Sequence, residues 1–102
     1  LIYAEALYRN GKETEAFAEL NKIRARAGLD PLDGTEDFME KLMHERRIEL
    51  AFEGHRFIDL RRWGLLEEVL GPLGYRSETE GLLPVPQTER DLNPNLTQNP
   101  GY

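Results

Sequence analysis

The sequence predicts a mainly α chain: a helical hairpin, a long helix and a shorter one, followed by an irregular tail rich in proline and glycine. Three observations lead there. Apolar residues recur at helical spacing as far as residue 70. Glycines stand where those segments should stop, at Gly11, Gly28 and Gly64. Every proline except Pro31 lies beyond Gly71, together with Gly74, Gly81 and Gly101. The expected organisation is a helical scaffold over 1–70 and an extended tail over 71–102 packed on it.

Residues 1–9 carry Leu1, Ala4, Leu7 and Tyr8 on one helical face and end at Asn10-Gly11. A second helix is predicted from Glu13 to Ala27. Its apolar stripe is Ala16, Leu20, Ile23 and Ala27, with Phe17 at the edge and Gly28 as the stop. The short connection makes the two an antiparallel hairpin. Gly11 and Ala16 are similar to half of a tetratricopeptide repeat, although one unit shows no internal periodicity. Pro31 and Asp33-Gly34 mark a loop. Asp33 with Glu36 three residues on has the pattern of a capping box, which starts a third helix near Thr35 and carries it to Phe52. Gly54 interrupts it before a shorter helix over His55–Trp63, closed by Gly64. Leu65–Leu70 adds a turn. In the tail, short strands are expected at Tyr75–Ser77 and Leu82–Val85, no more than edge strands because Pro84 and Pro86 cannot donate to a ladder. Leu82, Leu83, Val85 and Leu96 are its expected anchors.

The third helix is unusual in where it puts its charges. At about 100° per residue from Phe38, the apolar residues Phe38, Met39, Leu42, Met43 and Leu50 fall within about 140°. Glu45, Glu49, Glu53 and Arg46 fall in or beside the same sector, whereas Glu40, Lys41, His44 and Arg47 take the polar side. An ordinary amphipathic helix separates the two classes. Carboxylates one turn apart repel unless cations arrive from elsewhere. On the second helix Arg24 lies beside the apolar stripe and Arg26 faces away, so Arg24 is the expected partner. The expected ion network is Arg24, Glu45, Arg46, Glu49, Glu53 and Arg56, with Arg61 and Arg62 as further cations. Two readings of it compete. Paired acids could serve a glycosidase, where one must stay protonated opposite the other. Buried Arg–carboxylate pairs that fix helix register fit better, because these acids are interleaved with core positions.

These same residues carry a family resemblance. Glu45-Arg46-Arg47-Ile48-Glu49-Leu50, Glu53-Gly54-His55-Arg56-Phe57 and Asp59-Leu60-Arg61-Arg62-Trp63-Gly64 resemble the C-terminal signature of the SusD/RagB family. Leu20–Leu29 is similar to the helix end that precedes that signature. Leu83-Pro84-Val85-Pro86-Gln87, Asn93–Leu96 and Gln98-Asn99-Pro100-Gly101-Tyr102 are similar to the family's chain end. The pieces follow in the expected order over most of the chain. The resemblance implies a cell-surface, outer-membrane lipoprotein that binds glycans or similar nutrients without catalysis. It would pass them to a TonB-dependent outer-membrane transporter. It also implies that the hairpin continues a tetratricopeptide-like array, and that ligand contacts lie chiefly outside this piece.

Other constellations carry less. His44-Glu45 begins like a zinc helix, but the position of the second histidine is Ile48, so no metal ligand set and no cofactor is assigned. Arg56, Arg61 and Arg62 with Phe57 and Trp63 form a basic-aromatic cluster. The simpler reading places Phe57, Leu60 and Trp63 in the core, with the arginines answering the acids. The net charge of −6 argues against nucleic acid as a partner. The absence of cysteine excludes a disulfide framework and thiolate metal sites, and no apolar run reaches the length of a membrane span. Hydrophobic residues make up 39% and charged residues 31%, a balance that leaves the core leaning on a neighbour. Leu1 opens directly into an apolar pattern, so the chain reads as a fragment of a longer protein whose leader and lipid anchor lie elsewhere. No catalytic residue and no ligand-binding residue is assigned. Two other functions stay open: a helical protein–protein interaction module, and a hydrolase using Glu45 and Glu49.

Overall fold

Good helix formers spaced for one apolar face, several of the runs ended by glycine, produce helices without strands. The computed structural model describes residues 1–102 and contains α1 (Ile2–Arg9), α2 (Glu13–Arg26), α3 (Phe38–Glu49), α4 (Arg56–Trp63), α5 (Leu66–Leu70), α6 (Ser77–Glu80) and α7 (Gln87–Leu92), with a 3₁₀ turn at Gly71–Leu73. No helix is long and apolar enough to cross a membrane. The chain divides into two compact units, Leu1–Arg56 and Phe57–Tyr102.

In the first unit, α1 and α2 form the expected hairpin, and α3 packs against both. The stops are built alike. Gly11 has φ +74° and Gly28 φ +72°, a left-handed conformation open to glycine at little cost. The N–H of Lys12 donates back to the carbonyl of Leu7 at 2.9 Å, and that of Leu29 to Arg24 at 2.9 Å. These bonds satisfy carbonyls the helix end leaves without partners. Ala4, Leu7, Ala16, Phe17, Leu20, Phe38 and Leu42 make the core. Phe38 is its keystone: its ring stacks on Tyr8 at 4.6 Å and meets Phe17 edge-on at 5.1 Å. Phe17, expected at the edge, is buried, while Ala27 is exposed beyond the end of α2.

The limits of α3 differ from the expectation. It starts at Phe38, with Asp37 as N-cap accepting the Glu40 N–H at 2.7 Å. Asp37 and Glu40 repeat the spacing of Asp33 and Glu36, and the later pair wins. Asp33 instead closes a local turn, accepting the N–H and the hydroxyl of Thr35. At the other end α3 stops at Glu49 rather than Phe52, because Phe52 adopts φ +65° in the turn that leads to Gly54.

In the second unit, α4 and α5 fold together with the tail. Tyr75 meets Phe57 edge-on at 6.4 Å, and its N–H donates to the Leu70 carbonyl. Leu60 and Leu66 are buried as their spacing demands, whereas Phe57, expected in the core, is 40% exposed. The expected strands are absent: Ser77 opens α6 instead, and 82–85 has no regular structure, with a bend at Leu82. Side chains take the place of that strand. Gln98 donates to the Val85 carbonyl and accepts its N–H, Asn99 donates to the Leu83 carbonyl, and the Tyr102 hydroxyl to that of Leu82. The leucines expected to anchor the tail, Leu82, Leu83 and Leu96, are exposed; Val85 is half-buried.

Candidate functional site

Where α2 faces α3, two arginines of one helix reach two glutamates of the other. Arg24 pairs through Nη1 with Glu45. This pair is largely withdrawn from water, with side-chain exposures of 18% and 7%. The Nε of the same guanidinium donates to the Asp30 carbonyl at 2.8 Å, so Arg24 joins α2, the following loop and α3 at one point. Arg26 pairs with Glu49 one turn further along, at 63% and 31% exposure. The helical wheel pointed Arg26 away from α3. Its long, flexible side chain at the open end of α2 turns back to reach the carboxylate.

The remaining network residues are spread out. Arg46 is buried on α3 and engaged. Glu53 lies exposed in the turn after α3, out of register with Glu45 and Glu49 because the helix has already ended. Arg56 is half-buried and engaged at the start of α4. Arg62, expected to answer the acids of α3, binds Asp59 on its own helix at 2.9 Å and lies 4.6 Å over the Trp63 ring. His44 is exposed. Two buried acids escaped sequence reading. Glu5, inside the hairpin, receives Arg9 at 2.9 Å, and Asp59 receives Arg62. Each has a basic residue three or four positions on, which is the only local signal they give.

Two concavities flank these helices. A groove of about 440 Å³ is walled by Leu1, Tyr3, Ile23 and Leu50, with Arg46 and His55 at its side. A cleft of about 480 Å³ lies between α2 and the 32–34 loop, over Phe17, Asn21 and Asp33. Asn21 fixes that loop by exchanging two hydrogen bonds with Leu32, at 2.9 and 2.8 Å. The Thr35 hydroxyl, with the Thr35 N–H, holds the Asp33 carboxyl below its ordinary pKa.

The chemistry open to this arrangement is limited by its pairing. Glycosidic acid–base work needs two carboxylates on opposite sides of a gap. Here Glu45 and Glu49 project from one helix, and each is paired with a guanidinium. No three His, Cys, Asp or Glu side chains gather where they could hold a metal. The geometry suits a register lock between two helices.

Known proteins place this geometry in context. The SusD family model matches residues 1–102. Three proteins of Formosa agariphila align with the whole chain: SusD-like protein P2 at 38% identity, SusD-like protein P25 at 36% and SusD-like protein P38 at 34%. The chain spans only 24%, 23% and 22% of their respective lengths. No solved structure matches it significantly.

Proposed function

The chain belongs to the SusD family, and from that premise we propose that it is scaffold within a larger, non-catalytic nutrient-binding protein. The whole protein captures glycans or similar nutrients at the outer-membrane surface, where it is held as a lipoprotein. It delivers them to a TonB-dependent transporter. The family match over the full chain supports this reading. So does the pairing of Glu45 and Glu49 with arginines, which commits the most conspicuous acids to holding helices together.

Ligand contacts are assigned to the part of the protein outside these residues. Sugars bind on aromatic faces with polar rims, and Phe38, Phe17 and Tyr8 are spent on the core. The test is calorimetric titration of an oligosaccharide panel into the full-length protein and into the 102-residue chain. Affinity in the former, and none tighter than about millimolar in the latter, is expected. Micromolar binding by the short chain, or hydrolysis that disappears in Glu49→Gln, would overturn the assignment.

A further inference from the structure

We infer that Gln98–Tyr102 is a strap: a side-chain latch that holds the backbone of 82–85 and opens as one unit, independently of the helical core. The segment 82–85 has no regular secondary structure, bends at Leu82 and has no strand beside it. Apolar burial does not hold it, since Leu82 is 51% and Leu83 83% exposed. Its polar backbone is engaged instead by three side chains from one short stretch. Gln98 binds both backbone groups of Val85, at 2.7 and 3.0 Å. Asn99 Nδ2 reaches the Leu83 carbonyl at 2.6 Å, and Tyr102 Oη reaches the Leu82 carbonyl at 3.0 Å. Gln98 and Asn99 thus engage the backbone at Val85 and Leu83 together. Pro84, between them, has no N–H that needs a partner.

The strap also rests on α6. Gly101 has φ +87°, and a Cβ there would lie 2.5 Å from Thr79 Cγ2 and 3.1 Å from the Glu78 carbonyl oxygen. The turn is therefore shaped to lie flush on that helix, and only glycine fits it. Gln98 Oε1 accepts the Asn99 N–H as well as that of Val85, which couples the strap's own shape to its grip. Hydrogen bonds of this kind are individually weak and jointly sufficient. Segments held by them open below the free energy of global unfolding. An open strap leaves the carbonyls of Leu82 and Leu83 and both backbone groups of Val85 without these partners.

Amide hydrogen exchange of the full chain, followed residue by residue by NMR, tests this. The Val85 amide reports the strap, and the Leu20 amide in α2 reports the core. Gln98→Ala should speed Val85 exchange at least about tenfold, by removing its acceptor. Asn99→Ala and Tyr102→Phe, neither of which touches Val85, should each speed it several-fold if the strap opens as a unit. Leu20 should keep its rate in all three. Val85 exchange unchanged in Gln98→Ala overturns the strap. Acceleration in Gln98→Ala alone overturns its unity. Parallel acceleration of Leu20 overturns its independence from the core.

Discussion

Residues 1–56 and 57–102 are held together by different physics. The first unit buries a continuous set of seven apolar side chains around Phe38 and adds ion pairs between helices. The second buries Leu60 and Leu66, leaves Leu73, Leu83 and Leu92 in solvent, and secures its chain largely by side-chain hydrogen bonds to backbone. Buried area supplies cohesion in proportion to its extent. Local polar contacts fix shape while contributing little net stability each. The same family signature thus runs from a cohesive unit into a tied one, and the difference predicts how each responds to substitution.

The largest contrast should come from leucines. Leu42 is fully buried between the hairpin and α3, so Leu42→Ala should destabilise the first unit by about 2–5 kcal/mol. Leu83→Ala, at an exposed site, should change stability by less than about 0.5 kcal/mol. Urea denaturation, with the midpoints of both variants set against the parent chain, measures this directly. Similar midpoints would erase the contrast.

A polar contact inside the first unit should fall between those extremes. Asn21→Ala leaves both backbone groups of Leu32 without their partner and should cost about 1–2 kcal/mol. Faster amide exchange is expected over 29–34 more than in α2. A uniform rise across the unit would instead mean that the loop is held by packing alone.

The smallest expected effect is electrostatic. Asp33, held below its ordinary pKa chiefly by the Thr35 hydroxyl, favours the folded turn above the unfolded pKa. That contribution should fade as pH falls through the lowered value, below the ordinary range of aspartate. A carboxyl NMR titration of Thr35→Ala should show the Asp33 midpoint moving up toward that range. No movement would show that the hydroxyl is not the cause.

Which parts of this could be read from sequence follows from locality. The hairpin and its stops were legible because Gly11 and Gly28 announce left-handed caps and the apolar period runs unbroken between them. That Arg24 reaches a carboxylate of α3 followed from its place beside the apolar stripe of α2; which glutamate it meets did not. The end of α3 was hidden because Phe52 takes a left-handed conformation that its residue type does not suggest. Arg26 was misread because a helical wheel fixes where Cβ points and not where a long side chain ends. The segment 82–85 looked like a strand, but none forms there. Its partner is a set of side chains more than ten positions away, which no local pattern encodes. As for a ligand site, the acids that drew attention proved to be paired, and the aromatic residues of the first unit's core are packed on one another.

The central claim is that the acids of α3 act as a structural lock, with Glu45 carrying it and Glu49 assisting at the surface. A pair of double-mutant cycles measures that division most directly, one on Arg24 and Glu45, the other on Arg26 and Glu49, each read by urea denaturation of the full chain. The withdrawn pair should show a coupling of about 2 kcal/mol. The exposed pair should show less than about 0.5 kcal/mol. Equal couplings, or a larger one for Arg26 and Glu49, would contradict the lock.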